Sequence, residues 1–136
     1  MSRVTVNVDG GARGNPGPAA IGIVLRDGGG TVLEEVGEKI GAATNNVAEY
    51  RALLRGIELA AAHGATELEL VGDSELVVRQ VEGRYKVKNA GMKELHDEVK
   101  EALRGFDSWS ISHVRRTENA EADRLVNAAL DGVLDG

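Results

Sequence analysis

The sequence predicts an α/β fold in which a mixed five-stranded sheet carries helices on both faces. Residues 4–9 alternate valine with polar residues, which is typical of a half-buried strand, and two further strand-like segments follow. These three strands are expected to be antiparallel. Beyond residue 45, helical segments alternate with strand-like segments, and this order indicates later strands that run parallel to the first. We expect the 136 residues to form one domain, residues 1–136.

The individual elements follow from periodicity and from the residues that begin or end helices. Gly10–Pro18 is expected to be a loop, because its glycines and prolines cannot continue a helix. Gly64 should end the first helix, Asp73 or Ser74 should cap the second, and Asn119 should cap the last. The predicted strands are 4–9, 20–26, 31–40, 67–72 and 108–114, and the predicted helices are 45–63, 74–81, 92–104 and 120–130.

The composition is that of a globular protein, with 42% hydrophobic and 28% charged residues, and it excludes a disordered chain. No apolar run approaches the ~20 residues of a membrane span, and the chain has no cysteine, so we expect a cytoplasmic protein that does not contact membranes. The net charge of −6 disfavours a general nucleic-acid binder. Residues 79–93, however, carry five basic residues and one acidic residue, which indicates either a solvated surface or a local nucleic-acid contact.

Four acidic residues occupy positions that suit metal chemistry. Asp9 and Asp73 end two strands that are expected to be parallel, so their side chains should meet at one edge of the sheet. Glu49 and Asp123 lie in the first turns of two helices, where an acidic residue can equally serve the helix dipole. Asp9 has no helix to cap, and a cluster of carboxylates requires a cation or a shared proton. Oxygen ligands select Mg²⁺ or Mn²⁺, and a pair of such ions is a standard device for phosphodiester hydrolysis.

Four segments resemble, in order, the motifs of the type 1 ribonuclease H family. They are residues 9–18 (DGGARGNPGP), 44–50 (TNNVAEY), 72–74 (GDS) and 119–125 (NAEADRL). The second of these, together with residues 84–88 (RYKVK), is most similar to the compact archaeal and actinobacterial branch of the family. The resemblance implies a ribonuclease H-like fold and an endonuclease that cuts the RNA strand of RNA/DNA hybrids, leaving 5′-phosphate and 3′-hydroxyl ends.

The resemblance also implies a cofactor and the residues that hold it. The cofactor is a pair of Mg²⁺ ions, for which Mn²⁺ can substitute. The four carboxylates would be catalytic: Asp9 would bridge both ions, Glu49 and Asp73 would complete one metal site, and Asp123 would serve the other ion.

Substrate contacts are implied in the same way. The backbone of Gly10 and Gly11 and the side chains of Asn15, Asn45 and Asn46 would lie along the minor groove, and Thr44 would approach a DNA phosphate. Small neutral residues suit this task, because hybrids are recognised by groove shape and 2′-hydroxyls. Asn45 can also be read as a helix N-cap. The basic residues Arg84, Lys86 and Lys88 would contact backbone phosphates.

Two positions depart from the family pattern. Many members carry a loop histidine before the last catalytic aspartate; here His113 is in phase with Trp109 and Ile111 and is expected to lie in the core. Arg116 is then the better candidate for a residue that assists at the site. Glu75 stands where many bacterial members have glutamine, and we expect its side chain to point away from the substrate.

Other functions receive less support from the sequence. A non-catalytic module that binds hybrids or duplexes on the same fold would tolerate the loss of a carboxylate, yet all four are present. A dinucleotide-binding enzyme is disfavoured, because Pro16 and Pro18 prevent a helix directly after the glycines. Double-stranded RNA remains open as an additional substrate, and we expect a monomer.

Overall fold

The described part of the chain, residues 2–132 of a computed structural model, contains five strands, four α-helices and one 3₁₀-helix. The strands are β1 (Arg3–Ala12), β2 (Gly17–Asp27), β3 (Val32–Ala43), β4 (Glu67–Gly72) and β5 (Ser108–His113). The helices are α1 (Asn45–Ala62), α2 (Glu75–Val81), α3 (Ala90–Leu103) and α4 (Ala120–Leu130), and the 3₁₀-helix η1 (Arg116–Asn119) leads into α4. The order of strands and α-helices confirms the prediction.

The strands form one mixed sheet in the order β3-β2-β1-β4-β5. The β1–β2 and β2–β3 pairs are antiparallel, whereas the β1–β4 and β4–β5 pairs are parallel, as predicted. Helices α1, α2 and α3 cover one face, where Val6 and Val8 of β1 join Leu53 and Ile57 of α1 in the main buried cluster. Helix α4 covers the other face, where Val126 packs near Ala20 of β2.

The loop in the glycine-rich segment after the first predicted strand is shorter than expected. The prediction that Gly10–Pro18 is a loop is wrong, because β1 continues to Ala12 and β2 already begins at Gly17. Glycine and proline disfavour a helix there, but the glycines leave the main chain free to pair in a sheet, and Gly10 lies opposite Ile21 in the antiparallel ladder. Only residues 13–16 connect the two strands.

Three predicted caps have different outcomes. The hydroxyl of Thr44 accepts the N–H of Val47 at 3.2 Å, so Thr44 rather than Asn45 caps α1. Ser74 caps α2, as one of the two predicted alternatives had it. Asn119 occupies the N-cap position of α4 but makes no capping hydrogen bond with its side chain. The prediction of a cap there is wrong, because η1 brings this buried amide over β1, which supplies its partners.

None of the helices within residues 2–132 is long and apolar enough to cross a membrane.

Candidate active site

The parallel pairing of β1 with β4 brings two of the predicted acidic residues together. Val8 lies opposite Gly72 in this ladder, so Asp9 and Asp73 follow at the same edge of the sheet. Glu49 reaches this edge from α1, and Asp9, Glu49 and Asp73 each offer one oxygen within 4.8 Å of the other two. The predicted convergence of these carboxylates is therefore confirmed. Asp9 is only 5% exposed, so its charge is largely removed from water.

Close contact between α1 and β1 makes this convergence possible. A Cβ atom on Gly10 would lie 2.2 Å from the carbonyl oxygen of Ala48, the residue before Glu49. Two turns further along α1, a Cβ atom on Gly56 would lie 2.9 Å from the side chains of Val6 and Val8. These two glycines let the main chain of α1 approach the strand, and Glu49 is carried to Asp9 as a result.

The fourth acidic residue reaches the site from the opposite face of the sheet. Asp123 lies in the first turn of α4 and lines the same cleft of about 440 Å³ as the other three carboxylates. It is not part of the compact group of three. Its carboxylate oxygen Oδ1 instead accepts a hydrogen bond from Nη2 of Arg116 at 3.2 Å. Arg116 also lines the cleft, so the residue predicted to assist at the site contacts the carboxylate predicted to serve the second ion.

Burial, together with repulsion between charges, disfavours ionisation of Asp9, Glu49 and Asp73. Burial, followed by the charge of Asp73, raises the pKa of Asp9 from 3.8 to about 7. Burial, followed by the charges of Asp9 and Asp73, raises the pKa of Glu49 well above its ordinary value. Burial also raises the pKa of Asp73, although the guanidinium of Arg116 opposes this change. A divalent cation among these oxygen donors would remove the repulsion, so the donor set fits a hard metal ion.

The predicted groove-contacting residues lie beside the cleft around the start of α1, and we call them the rim residues; three of them line the cleft itself. The amide oxygen of Asn45 accepts the N–H of Ala12 at 2.8 Å, and the amide oxygen of Asn15 accepts the N–H of Asn45 at 3.0 Å. These bonds join the β1–β2 connection to α1. Gly10, Gly11 and Asn45 line the cleft. Thr44, the α1 cap, and Asn46, two residues further on, are half-buried and do not line the cleft.

The basic residues and the two departures from the family pattern lie elsewhere. Arg84, Lys86 and Lys88 are exposed on the connection between α2 and α3, which we call the basic segment (residues 84–88), and they do not line the cleft. Glu75 is exposed and lies 3.7 Å from Arg79 on α2, and the orientation of its side chain away from substrate stays a prediction. The prediction of a core position for His113 is wrong. This residue ends β5 with its side chain exposed, because burial on that strand does not extend past Ile111.

Two buried polar side chains near the site were not predicted to have a role in it. Asn119 is 2% exposed; it accepts the amide N–H of Asn7 at 3.0 Å and donates to the carbonyl of Val8 at 2.8 Å. It therefore ties the start of α4 to the strand residue directly before Asp9. Gln80 is 4% exposed in the apolar face of α2. A glutamine within the run Val77-Val78-Arg79-Gln80-Val81 was a signal that could have identified it.

Comparisons with known proteins identify related sequences and structures. The family model described as "Reverse transcriptase-like" matches residues 7–129. The chain is 48% identical over 129 residues to ribonuclease HI of Halobacterium salinarum, covering 95% of this chain and 65% of that protein. It is 45% identical over 130 residues to a bifunctional protein of Mycobacterium tuberculosis, covering 95% of this chain and 36% of that protein. The chain thus spans less than two thirds of the length of these two relatives.

The chain is also similar to relatives of about its own length and to solved structures. A ribonuclease H of Hydrogenovibrio crunogenus is 32% identical over 145 residues, with coverage of 96% of this chain and 97% of that protein. The crystal structure of the RNase H1 of Halobacterium salinarum matches with a TM-score of 0.94 at 48% identity, over 96% of this chain and 98% of that one. LC11-RNase H1, isolated from compost and crystallised in complex with an RNA/DNA hybrid, matches with a TM-score of 0.90 at 43% identity, over 96% of this chain and 99% of that one. By sequence and fold, this chain belongs to the ribonuclease H family.

Proposed function

We propose that this protein is a metal-dependent endonuclease that hydrolyses the RNA strand of RNA/DNA hybrids and leaves 5′-phosphate and 3′-hydroxyl ends. The observation that carries the proposal is the convergence of Asp9, Glu49 and Asp73 on one cleft in a member of this family. A structural relative at 43% identity has been solved with an RNA/DNA hybrid, which supports the same substrate class here.

The carboxylates of Asp9, Glu49, Asp73 and Asp123 would hold two Mg²⁺ ions, or Mn²⁺ in their place. Ions of this kind activate a water and stabilise the charge on the leaving oxygen. The oxygen-only donor set and the raised pKa of Asp9 support a hard cation at this position. Arg116, whose side chain is 78% exposed, would leave Asp123 and turn to a substrate phosphate once the carboxylates are neutralised.

The rim residues would hold the hybrid over these carboxylates. In this proposal the minor groove of the hybrid contacts the main chain of Gly10 and Gly11 and the side chains of Asn15, Asn45 and Asn46. Thr44 would contact a DNA phosphate. The hydrogen bonds that join Asn15, Asn45 and Ala12 support this assignment, because they preorganise the rim before substrate arrives.

The basic segment would hold the phosphate backbone outside the cleft. Arg84, Lys86 and Lys88 are exposed on an otherwise acidic protein, and this local charge would make hybrid affinity depend on salt. We further propose that residues 1–136 act as one domain, as a monomer in the cytoplasm. Size-exclusion chromatography with light scattering checks the monomer.

The test is cleavage of a labelled RNA/DNA hybrid in low salt with Mg²⁺, with Mn²⁺ and with chelator. Duplex RNA, duplex DNA and single strands are run in parallel, and duplex RNA decides whether it is a second substrate. Asp9→Asn should abolish cleavage, whereas the matched variant Asp107→Asn should not, because Asp107 is an exposed aspartate before β5. If the wild-type protein binds the hybrid without cleaving it, a binding module is favoured. If it does not bind the hybrid and does not cleave it, the proposal is overturned.

A further inference from the structure

A buried hydrogen-bond network connects the helix that carries Glu49 with the basic segment. The Tyr50 hydroxyl donates to Oε1 of Gln80 at 2.6 Å, and Nε2 of Gln80 donates to the main-chain carbonyl of Lys86 at 3.2 Å. The ring of His96 on α3 adds a contact of 3.1 Å from its Nε2 to the main-chain carbonyl of Gln80. Tyr50 is fully buried and Gln80 is 4% exposed.

The buried amide is not needed to fill space. Val77, Val78 and Val81 complete the buried face of α2 around Gln80, so an apolar side chain would suit the packing equally well. An amide taken out of water is costly unless both of its ends are hydrogen-bonded. Here one end meets Tyr50 and the other meets the main chain of the basic segment, which makes Gln80 a connection between elements.

We propose that Gln80 is a positioning residue for substrate binding, because it fixes the basic segment relative to the carboxylate site. The inference rests on the proposed function, since its ligand is the RNA/DNA hybrid. Gln80 holds the Lys86 carbonyl, and the side chain of Val87 packs against the main core cluster. Lys86 and Lys88, on either side of Val87, are exposed. Two successive anchor points thus fix the direction in which both lysines leave the surface.

The same two helices connect this segment to the metal ligands. Tyr50 directly follows Glu49 in α1, and α2 begins two residues after Asp73. A helix of seven residues is about 10 Å long, so α2 is a short rigid spacer between Asp73 and the basic segment. Without the Gln80 bonds, both lysines would remain in the chain but would be held less firmly in register with the cleft. Hybrid affinity would fall while the reacting groups stayed in place, so KM should rise and kcat should not change.

The main variant is the pair Tyr50→Phe with Gln80→Met, which removes the hydroxyl and the amide together and leaves neither unsatisfied in the core. Hydrogen exchange measured without substrate tests the anchor itself. Residues 84–88 should exchange faster in the variant, and α4 should exchange as in the wild type. Urea unfolding identifies a variant that fails to fold, in which case Gln80→Met alone, which removes the donor to the Lys86 carbonyl and keeps Tyr50, takes its place in every measurement.

Hybrid binding then tests the functional role through a double-mutant cycle, in which Tyr50→Phe/Gln80→Met is combined with Lys86→Ala/Lys88→Ala. Replacing both lysines should reduce the magnitude of the negative slope of log affinity against log salt by about 1.8, because each phosphate contact contributes about 0.9. Tyr50→Phe/Gln80→Met should reduce that magnitude by about 1 when both lysines are present and should not change it when they are absent. This dependence on the lysines is a result that a merely structural role would not produce.

Four outcomes would overturn the inference. An equal loss of affinity in both backgrounds would mean that the network only stabilises the fold. Unchanged binding in the network variant with faster exchange at 84–88 would mean that the anchor has no role in substrate binding. Unchanged hybrid binding by the Lys86→Ala/Lys88→Ala variant, with hybrid cleavage intact in the wild-type protein, would overturn this inference and leave the proposed function standing. Absence of both binding and cleavage in the wild-type protein would instead overturn the two together.

Discussion

Replacing Asp9 by asparagine should stabilise the metal-free protein above pH 7, although it removes a proposed metal ligand. The pKa of Asp9 is raised from 3.8 to about 7 in the folded protein, chiefly by burial and by the charge of Asp73. Between these two values the folded state holds a proton that the unfolded state has lost. The stability of the wild-type protein therefore falls as pH rises from about 4 to 7, and the loss is complete above pH 7.

The size of the effect follows from the same values. A change from 3.8 to about 7 corresponds to about 4 kcal/mol at pH 8, because one pKa unit is worth about 1.4 kcal/mol. Asparagine has nearly the same size and no charge, so Asp9→Asn should recover most of this free energy. With a urea m-value of about 2 kcal/mol per M, the unfolding midpoint should increase by about 2 M at pH 8. At pH 4 the two proteins should be equally stable.

The assay is urea unfolding in chelator at several pH values between 4 and 8, followed by the same series with Mg²⁺. The exposed control Asp107→Asn should change the free energy of unfolding by less than about 0.5 kcal/mol at every pH. Added Mg²⁺ should stabilise the wild-type protein and have little effect on Asp9→Asn. The reasoning is refuted if Asp9→Asn is no more stable than the wild type at pH 8, or if its advantage is the same at pH 4.

Three further substitutions test the supports of the site. Gly10→Ala should lower the free energy of unfolding, measured in urea, by about 1–3 kcal/mol, because the new Cβ would lie 2.2 Å from the main chain of α1. Gly28→Ala is the control and should be tolerated in the same experiment, because its new Cβ would lie 3.8 Å from the nearest atom. Asn119→Ala should cost about 1–3 kcal/mol by removing the buried hydrogen bonds to the Val8 carbonyl and the Asn7 amide, and an unchanged urea midpoint would contradict this. Arg116→Met should change stability by less than about 1 kcal/mol, because its ion pair is exposed, and should raise KM for the hybrid in steady-state assays.

Much of the fold was predictable because its signals are local. The alternation of Val4, Val6 and Val8 identifies a strand with one buried face, and the same period places Asp9 at its end. Parallel pairing of that strand with β4 follows from the alternation of helices and strands later in the chain. The convergence of Asp9 and Asp73 can therefore be predicted from the sequence.

The errors arose where one residue type serves two purposes. Glycines after Asp9 suggested a loop, but Gly10 is required because α1 lies against an extended strand. Asn119 has the side chain of a helix cap, and its partner is decided by the tertiary contact with β1. The bond between Tyr50 and Gln80 joins residues 30 positions apart on two helices. Neither propensity nor spacing encodes such a pairing, because it depends on how the helices pack.

The parallel pairing of β1 with β4 also bears on how the protein folds. The partners in this ladder are more than 60 residues apart in the chain, and closing so long a loop before other contacts form is entropically unfavourable. A cation site that needs both strands is therefore expected to form late on the folding pathway. Divalent ions should then slow unfolding while leaving the rate of refolding almost unchanged. Resistance to irreversible inactivation would depend on ion concentration, even under conditions in which the speed of folding does not.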